Sequence, residues 1–367
     1  MRVFPVIYFP DHKGKNFIGG PIQSCLASVH LTKPTETTLQ HFITRLLKRT
    51  TQAATVLACA AALPALADPS YPSRPIKIIV PWSPGLPADV AARAVAERMS
   101  VSMKQPIMVE NRPGASGTLG YTELLKQPAD GYTAYVLSSA SMVLPVIYPS
   151  RRLEYTKDLN AVGHMHWSYN AAVVPTDSKL NNLESIVTRA KAEPAKLTFA
   201  SAGNGTPAHM AGEAFNRVAN IDTAHVPYVQ LPMAMNDFLG GRIDFMFLTT
   251  VAAIPQINGG KMRALAVTSA KRLPALPNTP TMAELGYPKF VFRSFETLTV
   301  KAGTPRAIID KLNAELNKAL AVTALRDQFI SNGWDVEPMS VDQITKVMAS
   351  ESERWIQLGR DLQLKAD

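Results

Sequence analysis

From Ile76 onward the chain alternates short β-branched runs with stretches of helical period, the pattern of a mostly parallel sheet covered by helices. Residues 76–80 read as the first strand. The segment Pro81-Trp82-Ser83-Pro84-Gly85-Leu86-Pro87 cannot be helical, and residues 88–103 then carry helical spacing. A strand at 107–110, a helix at 118–125 and a strand at 133–137 follow, separated by turns such as Asp130-Gly131. After Val162 the rhythm restarts, with strands at 171–174, 197–200, 225–227, 245–247 and 263–268 and helices at 183–192, 210–218 and 233–239. Two amphipathic helices close the chain, 305–321 with Pro305 at its first position and 341–358 behind a Ser340 cap. No third sheet is available to receive these helices, so they are expected to return to the first set of elements. The reading is an α/β protein of two lobes, 68–170 with 291–367 and 171–290, crossed near 170 and near 290; two crossings make a hinge.

The preceding residues read differently. A basic patch, Arg45, Lys48 and Arg49, leads into an apolar run at 53–63 and the small-residue site Ala65-Leu66-Ala67. This order describes a secretory signal, and its core falls well short of the ~20 apolar residues of a membrane span. Cleavage after Ala67 and a periplasmic destination are the expectations. The residues before the basic patch show no periodicity and are set aside from the fold. Val56-Leu57-Ala58-Cys59 stands as a second reading, a lipidation site at Cys59, which would require an unusually short apolar core.

Composition then narrows the picture. Cys25 and Cys59 both precede the expected cleavage point, so stability must come from burial without disulfides; about 300 remaining residues suffice for that and favour two domains. The formal charge of +9 is concentrated early: seven Lys/Arg and two Asp/Glu of the 38 and 29 precede Asp68, which leaves about +4. No basic stripe interleaved with aromatics is present, which excludes a nucleic-acid reading, and a mild positive charge favours anionic solutes.

Two strand-to-helix junctions carry the candidate chemistry. Pro84-Gly85-Leu86-Pro87-Ala88-Asp89 and Ser201-Ala202-Gly203-Asn204-Gly205-Thr206-Pro207 each bring free backbone N–H groups and a positive helix end to one crevice, a setting that binds carboxylates. The first also reads as an ordinary strand-to-helix turn, with Asp89 favouring its helix start electrostatically. Gly203-x-Gly205-x-x-Ala208 is a degenerate dinucleotide fingerprint, weakened by Pro207 and by the short spacing to Asp222. Phe199-Ala200-Ser201-Ala202-Gly203 lacks the first glycine of a nucleophile elbow. His164 and His166 share a strand face and could chelate a metal; with no carboxylate or cysteine nearby in sequence, solvated or capped histidines are the preferred reading. Arg112, in Asn111-Arg112-Pro113-Gly114, could face an anion or hold its turn, and the turn is preferred.

Many strings then fit one family: Tyr71-Pro72-Ser73-Arg74-Pro75-Ile76, Val109-Glu110-Asn111-Arg112-Pro113-Gly114-Ala115, Asp130-Gly131-Tyr132-Thr133, Ala200 to Thr206, His225-Val226-Pro227-Tyr228, Leu265-Ala266-Val267-Thr268-Ser269 and Ala302-Gly303-Thr304-Pro305-Arg306. Together, from about Tyr71 to Asp367, they resemble the Bug family, the TctC-like periplasmic solute receptors of tripartite tricarboxylate transporters.

The resemblance implies a type II periplasmic-binding-protein fold, a Venus flytrap with an interlobe ligand cleft, and a small carboxylate held largely by backbone amides. No cofactor, metal or catalytic residue is implied; the implied partners are membrane transporter subunits or a sensor kinase, and the chain would act as a monomer. Position by position it carries a ligand role to Trp82, Ser83, Gly85, Leu86, Ala88 and Asp89, to Ser138 and Ser139, to Ser201, Ala202, Gly203, Asn204, Thr206 and His209, and to Pro227, Tyr228 and Thr249. Leu86 departs from a usual glycine, Ser138-Ser139-Ala140-Ser141 reads as a loop that lacks a usual glycine, and Thr249 stands where an acidic or amide residue is common. These departures lie on the expected ligand wall and suggest a less polar or differently shaped ligand than a di- or tricarboxylate. The alternative is an exported hydrolase using Ser201 with His209 or His225.

Overall fold

The computed structural model describes residues 71–364; the expectations for the signal segment, for Cys59 and for cleavage after Ala67 lie outside the described residues. The first strand, β1 (Ile76–Val80), feeds α1 (Pro87–Met103), followed by β2 (Ile107–Asn111), α2 (Thr118–Lys126) and β3 (Thr133–Ser138). β1 lies between β2 and β3, parallel to both, and its apolar residues Ile76, Ile78, Ile79 and Val80 are all buried, as expected of a strand covered on two faces. β3 runs directly into α3 (Ser139–Ile147), and α4 (Tyr155–Asp158) leads to β4 (Leu159–Pro175).

β4 is the spine of the molecule. Its residues 159–169 pair antiparallel with β9 (Arg293–Lys301), which in turn pairs with β3, whereas residues 170–175 pair with β7 (Phe245–Thr249) and β8 (Met262–Val267). Beyond β7 lie β5 (Thr198–Ser201) and β6 (Ala224–Pro227), parallel to each other, giving the order β2-β1-β3-β9-β4-β7-β5-β6 with β8 beside β4. The changeover falls at Asn170, whose side-chain amide donates to the Phe247 carbonyl while its backbone N–H donates to Thr268 Oγ1. Expecting a strand only at 171–174 missed this length, because Gly163, His164, His166 and Asn170 make the run look polar; all four are buried, and each is packed or bonded by residues distant in sequence.

The helices of the second half are α5 (Leu183–Ala192), α6 (Pro207–Ala219), α7 (Leu231–Leu239) and α8 (Thr250–Asn258); α9 (Arg306–Leu320), α10 (Thr323–Ser331) and α11 (Val341–Asp361) complete the chain. Ser340 caps α11 with a full capping box, as expected, and Pro305 is the cap of α9 rather than its first helical residue. Of the tail helices, α9 sets Ile308, Leu312 and Leu316 beside α1 and β4. α11 also reaches α3, where Gly359 leaves room for Val143 and Val146. Among the described residues no helix is long and apolar enough to cross a membrane.

Candidate functional site

Five strands lead toward one cavity, and each is followed by a helix whose cap or first residues line it. β1 delivers Trp82, Leu86, Pro87 and Ala88 at the start of α1, and β3 delivers Ser138 and Ala140 at the start of α3. β5 delivers Ala202, Thr206, Pro207 and Ala208 at the start of α6, β6 leads to Leu231 at the start of α7, and β7 delivers Leu248 and Thr249 at the start of α8. Ser168 on β4 and Glu296 on β9 complete the wall. The space open to a water-sized molecule is about 60 Å³, several times what one water needs. Such a crevice outside the carboxyl ends of the strands is where open α/β sheets bind their ligands. The five helices run 17, 9, 13, 9 and 9 residues, so each brings unsatisfied N–H groups and a partial positive charge to the same place.

Of the residues expected at the site, Trp82, Leu86, Ala88, Ser138, Ala202, Thr206 and Thr249 line this cavity. Leu86 has an ordinary extended backbone, φ −78° and ψ 161°, so nothing in the turn demands a glycine and its side chain simply fills space. Ser83, Gly85, Asp89, Ser139, Ser201, Gly203, Asn204, His209, Pro227 and Tyr228 do not line it. Several of them hold the lining residues in place instead. The buried Asp89 carboxylate accepts from Gly85 N–H, Arg93 Nε and Asn111 Nδ2, each at 2.9 Å, and so fixes the turn before α1. Ser139 Oγ accepts from Phe295 N–H at 2.8 Å, and the Tyr228 hydroxyl donates to Asp237 at 2.6 Å.

The Ser201–Thr206 loop closes on itself in the same way. Gly203 and Gly205 have φ of +114° and +76°, which L side chains rarely adopt, and the Thr206 hydroxyl donates to the Gly203 carbonyl at 2.7 Å. His209 Nδ1 accepts from Gly205 N–H at 3.1 Å, and its ring stacks on His225 at 4.0 Å. His225 Nε2 is 2.7 Å from Ser201 Oγ, the contact a hydrolase would need. Burial first, then the neighbouring His209, holds the His225 imidazole down at about 3, and Ser201 is fully buried away from the cavity. The pair therefore braces the loop whose Ala202 and Thr206 line the cavity, while neither Ser201 nor His225 lines it.

The segment at 138–141 is a strand end running straight into a helix rather than a loop, and Thr249 likewise leads directly into α8. Pro145 and Pro255 inside α3 and α8, and the nearly complete burial of α3, hide the helical period. The histidines at 164 and 166 are fully buried rather than solvated: His164 Nδ1 lies 3.2 Å from the Glu337 carbonyl, and His166 stacks flat on Trp334. Arg112 pairs with Glu110 and does not line the cavity, in keeping with its turn role. Sequence reasoning missed Ser168 and Glu296, whose places are set by the pairing of β4 and β9 across more than 120 residues.

Comparison with known proteins agrees with this architecture. Residues 91–364 match the model of the tripartite tricarboxylate transporter family receptor, TctC. The chain is 35% identical over 303 residues to protein BugT of Bordetella pertussis, covering 82% of this chain and 92% of BugT. Its fold superposes on the periplasmic binding protein BugD with a TM-score of 0.73 at 28% identity, covering 81% of this chain and all of BugD. It superposes on R. palustris Rpa4515 with adipate with a TM-score of 0.75 at 26% identity, covering 80% of this chain and 99% of that one. The protein thus belongs to the TctC family of tripartite tricarboxylate transporter receptors, the Bug proteins, which are periplasmic solute-binding receptors and not enzymes.

Proposed function

We propose that the cavity captures a small carboxylated solute in the periplasm, for delivery to the membrane subunits of a tripartite tricarboxylate transporter or to a sensor protein. The observation that carries this reading is the convergence of five helix N-termini on one small cavity, an arrangement suited to an anion. In the relative with adipate the bound molecule is itself a carboxylate. Residues 68–170 with 291–367 and residues 171–290 act as the two lobes, and the chain works as a monomer. Closure needs only that the ligand bind the closed form more tightly than the open one. Trp82, Leu86, Ala88, Ser138, Ala202, Thr206 and Thr249 contact the ligand, while Asp89, Gly203 and His209 hold the turns that present them.

A thermal-shift screen of the chain from Asp68 tests the reading, using mono-, di- and tricarboxylates, their amides, amino acids and nicotinate-like aromatic acids. An acid at about 100 times its Kd adds roughly 2.7 kcal/mol of stability, a readily measured rise in Tm. Stabilisation by an acid that is lost when all its carboxylates are amidated supports a carboxylate receptor; stabilisation by uncharged compounds alone overturns it.

A further inference from the structure

The cavity wall contains a carboxyl group whose hydrogen bonding the protein leaves incomplete. Glu296 on β9 sits between Ser138 of β3 and His166 of β4, is 4% exposed, and is the one charged side chain among the described residues that line the cavity. Its Oε2 has no hydrogen-bond partner. His166 Nε2 approaches that oxygen to 3.5 Å without hydrogen-bond geometry, and burial keeps the imidazole neutral. Ser168 supports the carboxyl, but less strongly than burial works against its charge. That oxygen is enclosed beside His166, so the protein leaves the carboxyl's charge poorly compensated, a cost that a donor reaching the carboxyl from the cavity would offset.

We propose that Glu296 selects the ligand: this receptor takes acids with a single carboxylate whose far end presents an amine, amide or hydroxyl donor to the Glu296 carboxyl from the cavity, and it discriminates against dicarboxylates. The inference rests on the carboxylate reading above, with the helix ends holding the ligand carboxylate and Glu296 meeting the opposite end. Burial pushes the Glu296 carboxyl up to about 8, while the surrounding helix ends favour its charged form. In either state the carboxyl keeps an acceptor for an N–H or O–H. A second carboxylate placed there must share a proton with Glu296, because two like charges at contact cannot both persist without large cost.

The test is calorimetric titration at about pH 8.5, above that carboxyl's own value, of the wild type and Glu296→Gln. The probes are succinate, succinamate and 4-aminobutyrate, with adipate, adipamate and 6-aminohexanoate as a longer series. In at least one series the wild type should bind the monoamide or amino acid about a hundredfold more tightly than the diacid. Glu296→Gln, which keeps the volume and supplies a donor, should shrink or reverse that preference. Diacids bound by the wild type as tightly as their monoamides, or a preference unchanged in Glu296→Gln, would overturn the inference while leaving the carboxylate receptor standing. If no acid binds either protein, the carboxylate reading falls, and this inference with it. Should Glu296→Gln fail to fold, shown by its ligand-free melt, the wild-type preference decides alone.

Discussion

Trp82 Nε1 donates a 2.9 Å hydrogen bond to Ser138 Oγ, joining the turn after β1 to the end of β3 beside the same cavity. The other three tryptophans, Trp167, Trp334 and Trp355, are buried and do not line the cavity, which makes Trp82 the natural reporter of an occupied site. A bound acid should change the intrinsic fluorescence, and Trp82→Phe should abolish most of that change. The same substitution removes one hydrogen bond, about 1 kcal/mol of stability, read by chemical denaturation.

Asp89→Asn should loosen the turn that presents Leu86 and Ala88. The carboxylate that accepts from Gly85, Arg93 and Asn111 is replaced by a neutral amide with only one acceptor oxygen. A loss of about 1 to 3 kcal/mol is expected in denaturant melts, together with weaker binding of whichever screened acid binds the wild type.

The acid side of the stability profile belongs to buried histidines. Burial holds His164 down at about 4 and His225 at about 3, whereas in the unfolded chain both titrate near their ordinary value of 6.5. Below pH 6.5 the unfolded chain therefore takes up protons that the folded one refuses. Stability is full above 6.5 and falls as pH drops toward 4, by roughly 1.4 kcal/mol per pH unit for each group. His225→Gln should flatten part of that slope in melts between pH 4 and pH 7, and it should also slacken the Ser201–Thr206 loop.

Glu296 works in the opposite sense. With its folded value raised to about 8 from the usual 4.5, the folded protein keeps a proton that the unfolded chain releases, so the contribution is lost as pH rises between those values. Glu296→Gln should remove this slope and make the ligand-free protein more stable than the wild type at pH 8, by about 1 to 3 kcal/mol. A variant less stable than the wild type at pH 8 would contradict this account of the buried carboxyl.

Gly212 on α6 faces the ring of Phe199 on β5, and a Cβ there would come within 2.2 Å of the ring. Because both residues are buried, Gly212→Ala should destabilise the protein by about 1 to 3 kcal/mol despite its higher helix propensity, a loss visible in thermal melts.

What the chain reveals by itself is the scaffold. β1, β3, β5 and β7 are short apolar runs bounded by turn residues, and α1, α9 and α11 carry an apolar stripe, so local pattern and tertiary burial coincide. The site is only half legible. The turns at Leu86–Ala88 and Ala202–Thr206 announce themselves through Pro and Gly, but α3 and α8 carry an internal proline that argues against helix. Glu296 is the extreme case: a lone acid in a β-branched run reads as a solvated position, and only the register of β9 between β3 and β4 turns it into a cavity wall.

The 17-residue β4 has a consequence for how the protein comes apart. A strand hydrogen-bonded into both halves of the sheet cannot leave one half without fraying the other, and its partners β7, β8 and β9 all lie more than 70 residues away in sequence, β9 more than 120. Neither half can act as an independent cooperative unit. Calorimetry should record a single transition, and amides along 165–174 should exchange with solvent only as fast as global unfolding allows. With so many contacts closing long loops, refolding should be slow for a chain of this size. The segment that lets two halves share one cavity also makes them share one fate.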